Sequence, residues 1–179
     1  MSNNDLFSMQ GKLVLVTGAS SGLGKHFAQV LAGAGATVLL SARNVEKLQQ
    51  VLDQIQAAGG KAYAVAMDVS KSSSVNTAMA NIAQQHGVPD VLINNAGQSI
   101  AKPMLEQTED DWDQILDTNL KGCWLVGTEF ARALAAAGKP GAIVNIASIL
   151  GERVGGAVGP YAISKAGLVQ ATKAMALEL

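Results

Sequence analysis

A tyrosine and a lysine lie one helical turn apart in the segment Tyr161-Ala-Ile-Ser-Lys165. At this spacing both side chains lie on the same face of a helix. An ammonium group beside a phenol favours the phenolate form, which makes the tyrosine a better acid–base group near neutral pH. Ser148 precedes the pair and offers a hydroxyl that can polarise a carbonyl oxygen. These residue types predict proton transfer to or from a carbonyl or alcohol oxygen.

A second group of residues, near the N-terminus, has the composition of a phosphate-binding loop. Three glycines directly follow an apolar segment and precede a helical pattern. Glycines let the backbone approach a pyrophosphate closely, and the first N–H groups of a helix point at the phosphates. The spacing differs from the common Gly-x-Gly-x-x-Gly fingerprint, so a purely structural turn is the alternative interpretation. The predicted loop residues are Gly18, Ser20, Ser21, Gly22, Leu23 and Gly24.

The residues after the second and third apolar segments indicate which nucleotide would bind. In many dinucleotide sites an acidic residue after the second strand binds the ribose 2′-hydroxyl. Here residues 40–44 hold no carboxylate, and Arg43 offers a guanidinium suited to a 2′-phosphate, which favours NADP and leaves NAD open. Asp68 would accept a hydrogen bond from the adenine amino group, and Val69 would pack beside the ring. The alternative for Asp68 is an ordinary helix entry.

The elements that must position these residues are short apolar segments alternating with longer helical patterns. Apolar strands without polar alternation are typical of a parallel sheet that is covered on both faces. The alternation predicts right-handed crossovers and a doubly wound α/β fold of Rossmann type with three α/β/α layers. The predicted strands are Lys12–Val16, Thr37–Ser41, Ala62–Ala66, Asp90–Asn94 and Ala142–Ser148, and the helices cover about 22–33, 44–58, 71–86, 108–137 and 160–179.

Composition excludes several classes of protein. A length of 179 residues fits one domain, at roughly 100–200 residues per domain. With 13 basic and 14 acidic residues, we expect no nucleic-acid or membrane partner. The polar opening lacks a secretion signal, and no segment approaches the roughly 20 apolar residues of a membrane span, which predicts a cytoplasmic protein. A single cysteine, Cys123, and two separated histidines predict no disulfide and no metal site.

Taken together, the motifs resemble those of the classical short-chain dehydrogenases/reductases, in the family's order and over nearly the whole chain. The resemblance implies an oxidoreductase that transfers a hydride between NADP(H) and a small secondary alcohol or ketone. Tyr161 would be the general acid or base, Ser148 would bind the substrate oxygen, and Lys165 would also hold the ribose of the cofactor. The matching residues are Thr17–Gly24, Asp68-Val69, Asn94–Gly97, Asn119, Ser148 and Tyr161–Lys165.

The same resemblance implies further roles. Asn119 would hold a water in a proton relay from Lys165, and Asn95 would lie near the cofactor. Helices 108–137 and 160–179 would form the contacts of a homodimer or homotetramer. One departure is Ser21, where NADP-preferring members often carry a basic residue, so that Arg43 would act alone.

A second departure concerns length. Family members have roughly 250 residues, and this sequence stops inside the last helical pattern. We therefore expect residues 1–179 to be one dinucleotide-binding and catalytic domain without its last two strands and substrate cover. Two alternative functions stay open: a non-catalytic nucleotide-binding regulatory or scaffold protein on the same fold, and a nucleotide-sugar epimerase.

Overall fold

The sheet of this protein is parallel throughout. A computed structural model describes residues 6–179, and residues 1–5 of the polar opening lie outside the described part. The strand order is β3-β2-β1-β4-β5, with all neighbouring pairs parallel, which confirms the predicted doubly wound sheet. The strands are β1 (Leu13–Thr17), β2 (Thr37–Ala42), β3 (Lys61–Ala66), β4 (Val91–Asn94) and β5 (Ala142–Asn145).

Helices lie on both faces of this sheet, and β1 and β2 are buried on both sides. The edge strands β3 and β5 keep exposed residues such as Tyr63 and Val144, so the prediction of strands covered on both faces was wrong for these two. Val14 and Val16 of β1 pack with the first two helices, whereas Leu15 between them packs with the third and fifth. Alternate residues of a strand point to opposite faces, so three layers follow directly from this burial. The helices are α1 (Gly22–Gly33), α2 (Val45–Ala57), α3 (Ser72–Gln85), α4 (Glu109–Leu116), α5 (Gly122–Ala137) and α6 (Gly159–Glu178).

The helix predicted over 108–137 begins as expected but is not one α-helix. The Thr108 side chain accepts a hydrogen bond from Asp111 N, and Asp111 accepts one from Thr108 N, which forms a capping box. A π-helical turn over Asp117–Lys121 then separates α4 from α5, and Gly122 N donates to Asp117 O. The prediction of one uninterrupted helix was wrong, because a π turn leaves no signal in the spacing of apolar residues. Turns of this kind are frequent at functional sites.

The fifth strand is shorter than its apolar pattern predicts. It pairs with β4, which ends at Asn94 opposite Asn145, and Ile146 N still donates to Asn94 O. Beyond this point no strand of the described residues continues the ladder, so the chain leaves the sheet. Ser148 therefore lies in a loop, before a short 3₁₀ turn at Ile149–Gly151, and not at the end of a strand.

Within residues 6–179, no helix combines the length and the apolar composition that a bilayer crossing requires.

Candidate active site

A cleft at the carboxyl ends of the strands brings most of the predicted site residues together. Its volume is about 680 Å³, within the roughly 300–1,000 Å³ of small-molecule sites. The predicted residues that line it are Gly18, Ser20, Ser21, Gly22, Leu23, Arg43, Val69, Asn95, Tyr161 and Lys165. Among the described residues, the lining does not include Gly24, Asp68, Asn119 and Ser148.

The glycines of the loop after β1 meet two kinds of steric demand, a positive φ and a close approach of neighbouring atoms. Gly18 and Gly22 have positive φ angles of 65° and 53°, which disfavour residues with a Cβ. A Cβ on Gly24 would overlap Gly18 O and Asn95 Nδ2. The absence of a Cβ at Gly24 therefore lets the first turn of α1 pack directly against the loop backbone. Gly24 itself does not line the cleft.

The N-terminus of α1 faces the cleft through Ser21, Gly22 and Leu23. Within the described residues, the N-cap Ser21 makes no side-chain capping bond, and the first turn of α1 carries no acidic residue. The first N–H groups of a helix lack partners inside the helix and carry partial positive charge. This end of α1 is thus suited to a phosphate group.

Two cationic side chains line the cleft where β2 leads into α2. Arg43 follows the strand, and Lys47 lies one helical turn later; both are exposed. Asn44 caps α2 by accepting a 2.7 Å hydrogen bond from Lys47 N. Across residues 6–179, neither cation takes part in an ion pair, so both are available to a phosphate. Sequence reasoning missed Lys47, whose signal was its position one turn after Arg43.

The glycine loop is joined to the end of β4 by hydrogen bonds. Asn95 Nδ2 donates to Thr17 O at 3.0 Å and to Gly18 O at 3.3 Å. In return, Thr17 Oγ1 accepts from Asn95 N at 3.0 Å and from Ala96 N at 3.1 Å. Asn95 thus lines the cleft and also fixes the position of the loop. Sequence reasoning did not identify Thr17 as a partner.

Tyr161 and Lys165 lie on the face of α6 that borders the cleft, as their spacing predicts. Tyr161 is half-buried, and Lys165 Nζ lies 5.8 Å from the centre of its ring. Lys165 is only 4% exposed, and its Nζ donates a 2.7 Å hydrogen bond to Ile146 O. Burial lowers the pKa of Lys165 below its ordinary 10.5, and the neighbouring Cys123 acts in the opposite direction. The hydrogen bond to Ile146 O, in the loop after β5, holds the Lys165 ammonium in place.

Asn119 lies in the π turn and is fully buried. Its Oδ1 accepts from Gln98 N at 2.8 Å, and its Nδ2 donates to Gln98 O at 2.8 Å and to Ser164 Oγ at 3.1 Å. Ser164 Oγ donates in turn to Tyr161 O at 2.7 Å. Asn119 thereby joins the loop after β4 to the turn of α6 that carries Tyr161, and its part in a proton relay stays a prediction. Sequence reasoning missed Gln98 and Ser164.

Ser148 and Asp68 make local hydrogen bonds. Ser148 Oγ accepts from Leu150 N at 3.1 Å, which leaves the hydroxyl hydrogen free to donate to another group. Its chain neighbours Ala147 and Leu150 line the cleft. Asp68 Oδ1 accepts from Ser70 N at 3.1 Å and from Ser70 Oγ at 2.7 Å. These bonds form a turn before α3, whose N-cap is Lys71, so Asp68 does not cap the helix; its contact with adenine stays a prediction.

The donor set of the cleft fits a phosphorylated dinucleotide. A helix N-terminus and a glycine loop lie between the two cations after β2 and the Tyr161–Lys165 pair. The helix N-terminus and the glycine loop suit a pyrophosphate, and the two cations suit a further phosphate. Within residues 6–179, no group of three or more His, Cys, Asp or Glu side chains is arranged to hold a metal ion.

Comparison with known proteins gives consistent matches over most of the chain. The family model for short chain dehydrogenases matches residues 12–179. Gluconate 5-dehydrogenase from Gluconobacter oxydans is 39% identical over 178 residues, which are 99% of this chain and 69% of that protein. The 3beta-hydroxysteroid dehydrogenase from Mediterraneibacter gnavus is 38% identical over 168 residues, which are 93% of this chain and 60% of that protein.

A solved structure agrees with these matches. The gluconate 5-dehydrogenase from Burkholderia cenocepacia, crystallised in complex with NADP and tartrate, has a TM-score of 0.92 at 32% identity. The match covers 98% of this chain and 68% of that one, so this chain spans about two thirds of the lengths of its relatives. The chain belongs to the family of short chain dehydrogenases.

Proposed function

We propose that this protein interconverts a secondary alcohol and a ketone with NADP(H), with Tyr161 as the proton donor in reduction and the proton acceptor in oxidation. The observation that carries the proposal is that Tyr161 and Lys165 line the same cleft as the glycine loop and the N-terminus of α1. A phosphate-binding end and an acid–base end in one cleft fit a nucleotide-dependent reaction at a carbonyl group.

NADP is the cofactor that the charges of the cleft favour. The N–H groups at the start of α1 would hold the pyrophosphate, and Arg43 and Lys47 would hold the 2′-phosphate. Asp68 and Val69 would contact the adenine. The relative from Burkholderia cenocepacia was solved with NADP, which supports the same choice here. NAD lacks the 2′-phosphate and would leave both cations without a partner.

The protein's own residues would then move and hold protons. NADPH, when bound, would supply the hydride for the carbonyl carbon. The Tyr161 hydroxyl donates its proton to the carbonyl oxygen, and the Ser148 hydroxyl donates a hydrogen bond to the same oxygen. Lys165, fixed by Ile146 O, favours the ionised form of Tyr161 and holds the ribose. Asn119 positions the turn of α6 that carries Tyr161, and its bound water would return a proton through Lys165.

The test of this assignment is the substitution Tyr161→Phe in the purified full chain. Loss of a positioned proton donor lowers kcat by about 100- to 10,000-fold, and NADPH binding, measured by titration, should not change. The matched control is Tyr63→Phe, since Tyr63 lies on β3 and stacks on His86 with ring centres 4.4 Å apart. Full activity of the Tyr161→Phe variant would reject the catalytic role. NADPH binding without reduction of any ketone would favour a regulatory or scaffold protein instead.

The cofactor assignment is tested separately with Arg43→Ala and Lys47→Ala. Loss of a charge-assisted hydrogen bond costs about 1.5–3 kcal/mol, which predicts a fall of about 10- to 100-fold in kcat/KM for NADPH. The kcat/KM for NADH should stay constant, because NADH presents no 2′-phosphate. Arg132→Ala is the control, since Arg132 pairs with Glu129 on the surface of α5. An unchanged NADPH-to-NADH ratio in both variants would contradict the proposal.

The substrate is a small molecule whose class the relatives leave open. A gluconate dehydrogenase and a hydroxysteroid dehydrogenase match this chain at 39% and 38% identity. These names cover a sugar acid and a steroid, which differ strongly in polarity. The names of these relatives therefore select no single substrate class.

We also propose a homodimer or homotetramer, formed through α4, α5 and α6, that acts in the cytoplasm. The support is that Trp112 of α4 and Trp124 of α5 are 42% and 50% exposed. Large aromatic side chains of this exposure are enriched at subunit contacts. Light scattering of the purified full chain measures the mass directly, and a monomeric mass would contradict this part.

A further inference from the structure

The side chain of Gln98 bonds to two parts of the segment that carries Asn119. Gln98 lies in the loop after β4, is half-buried and lines the proposed cofactor cleft. Its Nε2 donates a 2.7 Å hydrogen bond to Gln114 O, in the last turn of α4, and a 3.1 Å bond to Thr118 Oγ1, in the π turn. One side-chain amide therefore spans the junction at which α4 changes into the π turn.

The main chain of Gln98 holds the Asn119 side chain at the same time. Gln98 N donates to Asn119 Oδ1, and Gln98 O accepts from Asn119 Nδ2, each at 2.8 Å. Asn119 Nδ2 also donates to Ser164 Oγ, which in turn donates to Tyr161 O. A continuous series of hydrogen bonds thus runs from the end of α4, through Gln98 and Asn119, to the start of α6.

Gly97, the residue before Gln98, lies against Lys165. A Cβ on Gly97 would lie 3.7 Å from Lys165 Nζ and 3.4 Å from Asn119 Oδ1. The ammonium and the amide oxygen therefore approach the same short stretch of the loop, and a shift of this stretch would change the surroundings of both. The position matters because a reacting group displaced by about 1 Å can lose about 100-fold in rate.

We infer that Gln98 is a positioning residue, whose side chain fixes the π turn against the loop after β4 and thereby holds Asn119 and the turn of α6 that carries Tyr161. The inference rests on the proposed function and adds a residue to it. An amide NH₂ group has two donor hydrogens, and the bonds to Gln114 and Thr118 use both. The side chain therefore acts on the reaction through Asn119, so its loss should lower kcat and leave the affinity for NADPH unchanged.

The substitution Gln98→Met in the purified full chain removes both side-chain bonds and keeps a side chain of similar length. Reduction is measured with NADPH and whichever of 2-octanone, cyclohexanone and 5-keto-D-gluconate the wild type reduces fastest. We expect kcat to fall about 10- to 100-fold, because the acid–base pair is displaced. The KM for the ketone and the binding of NADPH, measured by titration, should stay near their wild-type values.

The matched control is Gln107→Met, which makes the same change in the same loop. Gln107 is also half-buried, and its Nε2 donates a 2.9 Å hydrogen bond to Lys102 O. It is not among the described residues that line the proposed cofactor cleft. The Gln107→Met variant should therefore keep the wild-type kcat. A merely structural role of Gln98 would lower Tm and leave the kcat of the folded enzyme unchanged.

Two further measurements follow the route from Gln98 to the site. Hydrogen exchange of the backbone N–H groups over residues 117–122, followed by mass spectrometry, should be faster in Gln98→Met and unchanged in Gln107→Met. Thr118→Val removes one acceptor of the Gln98 amide. The double variant of Gln98→Met with Thr118→Val should have the same kcat as Gln98→Met alone, because the bond between the two residues is already lost.

The possible failures are distinguishable. Wild-type exchange of residues 117–122 in Gln98→Met overturns the fixing of the π turn, and faster exchange with an unchanged kcat overturns the positioning role. Equal losses of kcat in Gln98→Met and Gln107→Met, or losses that multiply in the double variant, also overturn it. All of these results leave the proposed function in place. NADPH binding by the wild type with no reduction of any of the three ketones overturns the proposed function and this inference with it.

Discussion

Gly24→Ala adds a single methyl group at the most crowded point of the glycine loop. The added Cβ would lie closer to Gly18 O and Asn95 Nδ2 than the 3.0 Å that real Cβ atoms respect. One of these atoms belongs to the backbone, and the other already donates hydrogen bonds to Thr17 O and Gly18 O. Neither can move without breaking the contacts that join the loop to β4.

The expected loss of stability combines two effects. Overpacking costs about 1–3 kcal/mol, and a displaced hydrogen bond adds about 1 kcal/mol. We therefore expect a loss of about 3 kcal/mol. For a chain of this size, 1 kcal/mol corresponds to about 2–4 °C, so Tm should fall by about 6–12 °C. Thermal unfolding followed by circular dichroism, with and without NADP, measures this change.

The control for this substitution is Gly33→Ala in the same helix. Among the described residues, no atom outside the adjoining backbone of α1 lies within 4 Å of a Cβ on Gly33, and its φ is not positive. Replacing a glycine that lies in a helix stabilises it by about 0.5–1 kcal/mol, so Tm should rise slightly. The reasoning is refuted if Gly24→Ala unfolds at the wild-type temperature, or if Gly33→Ala loses as much stability as Gly24→Ala.

Two further substitutions test the contacts around the loop after β4. The Lys102 ammonium and then Thr108 N lower the pKa of Asp111 from 3.8 to about 2, so the pair stabilises the fold above about pH 4 and less as the pH falls towards 2. The free energy of unfolding, measured in urea, should therefore fall less between pH 7 and pH 3 in the Asp111→Asn variant than in the wild type. An equal fall in both proteins would contradict this. Asn119→Ala removes the bonds to Gln98 and Ser164 and should cost about 3 kcal/mol in urea unfolding. A wild-type urea midpoint for this variant would contradict the joining role of Asn119.

The order of elements and most residues of the cleft at the carboxyl ends of the strands could be predicted from local sequence patterns. For β1 and β2, apolar segments without alternation correctly indicated strands covered on both faces, because burial on both sides leaves no position for a polar residue. Tyr161 and Lys165 share a face because helical spacing alone decides it. The glycines at 18 and 22 were identifiable because backbone angles of this kind require them.

Local patterns could not predict the end of β5 or the interruption of the helix after Thr108. The end of β5 depends on where β4 stops, since a strand needs a hydrogen-bonding partner beside it. The π turn that carries Asn119 includes a backbone hydrogen bond from Gly122 N to Asp117 O, and no residue type signals such a turn. Because β5 ends early, at Asn145, Ser148 lies in the following loop, as the N-cap of a 3₁₀ turn, and not at the end of a strand as predicted.

The strand–helix alternation, the glycine loop and the Tyr161–Lys165 pair could all be read from the amino-acid sequence, because each depends on residues close together in the chain. The packing of the elements was needed to show that Lys47 accompanies Arg43 in the cleft and that Asn119 bonds to Gln98 and Ser164. These features depend on contacts between distant segments. Such contacts follow from how the elements pack, and residue types and spacing do not encode them locally.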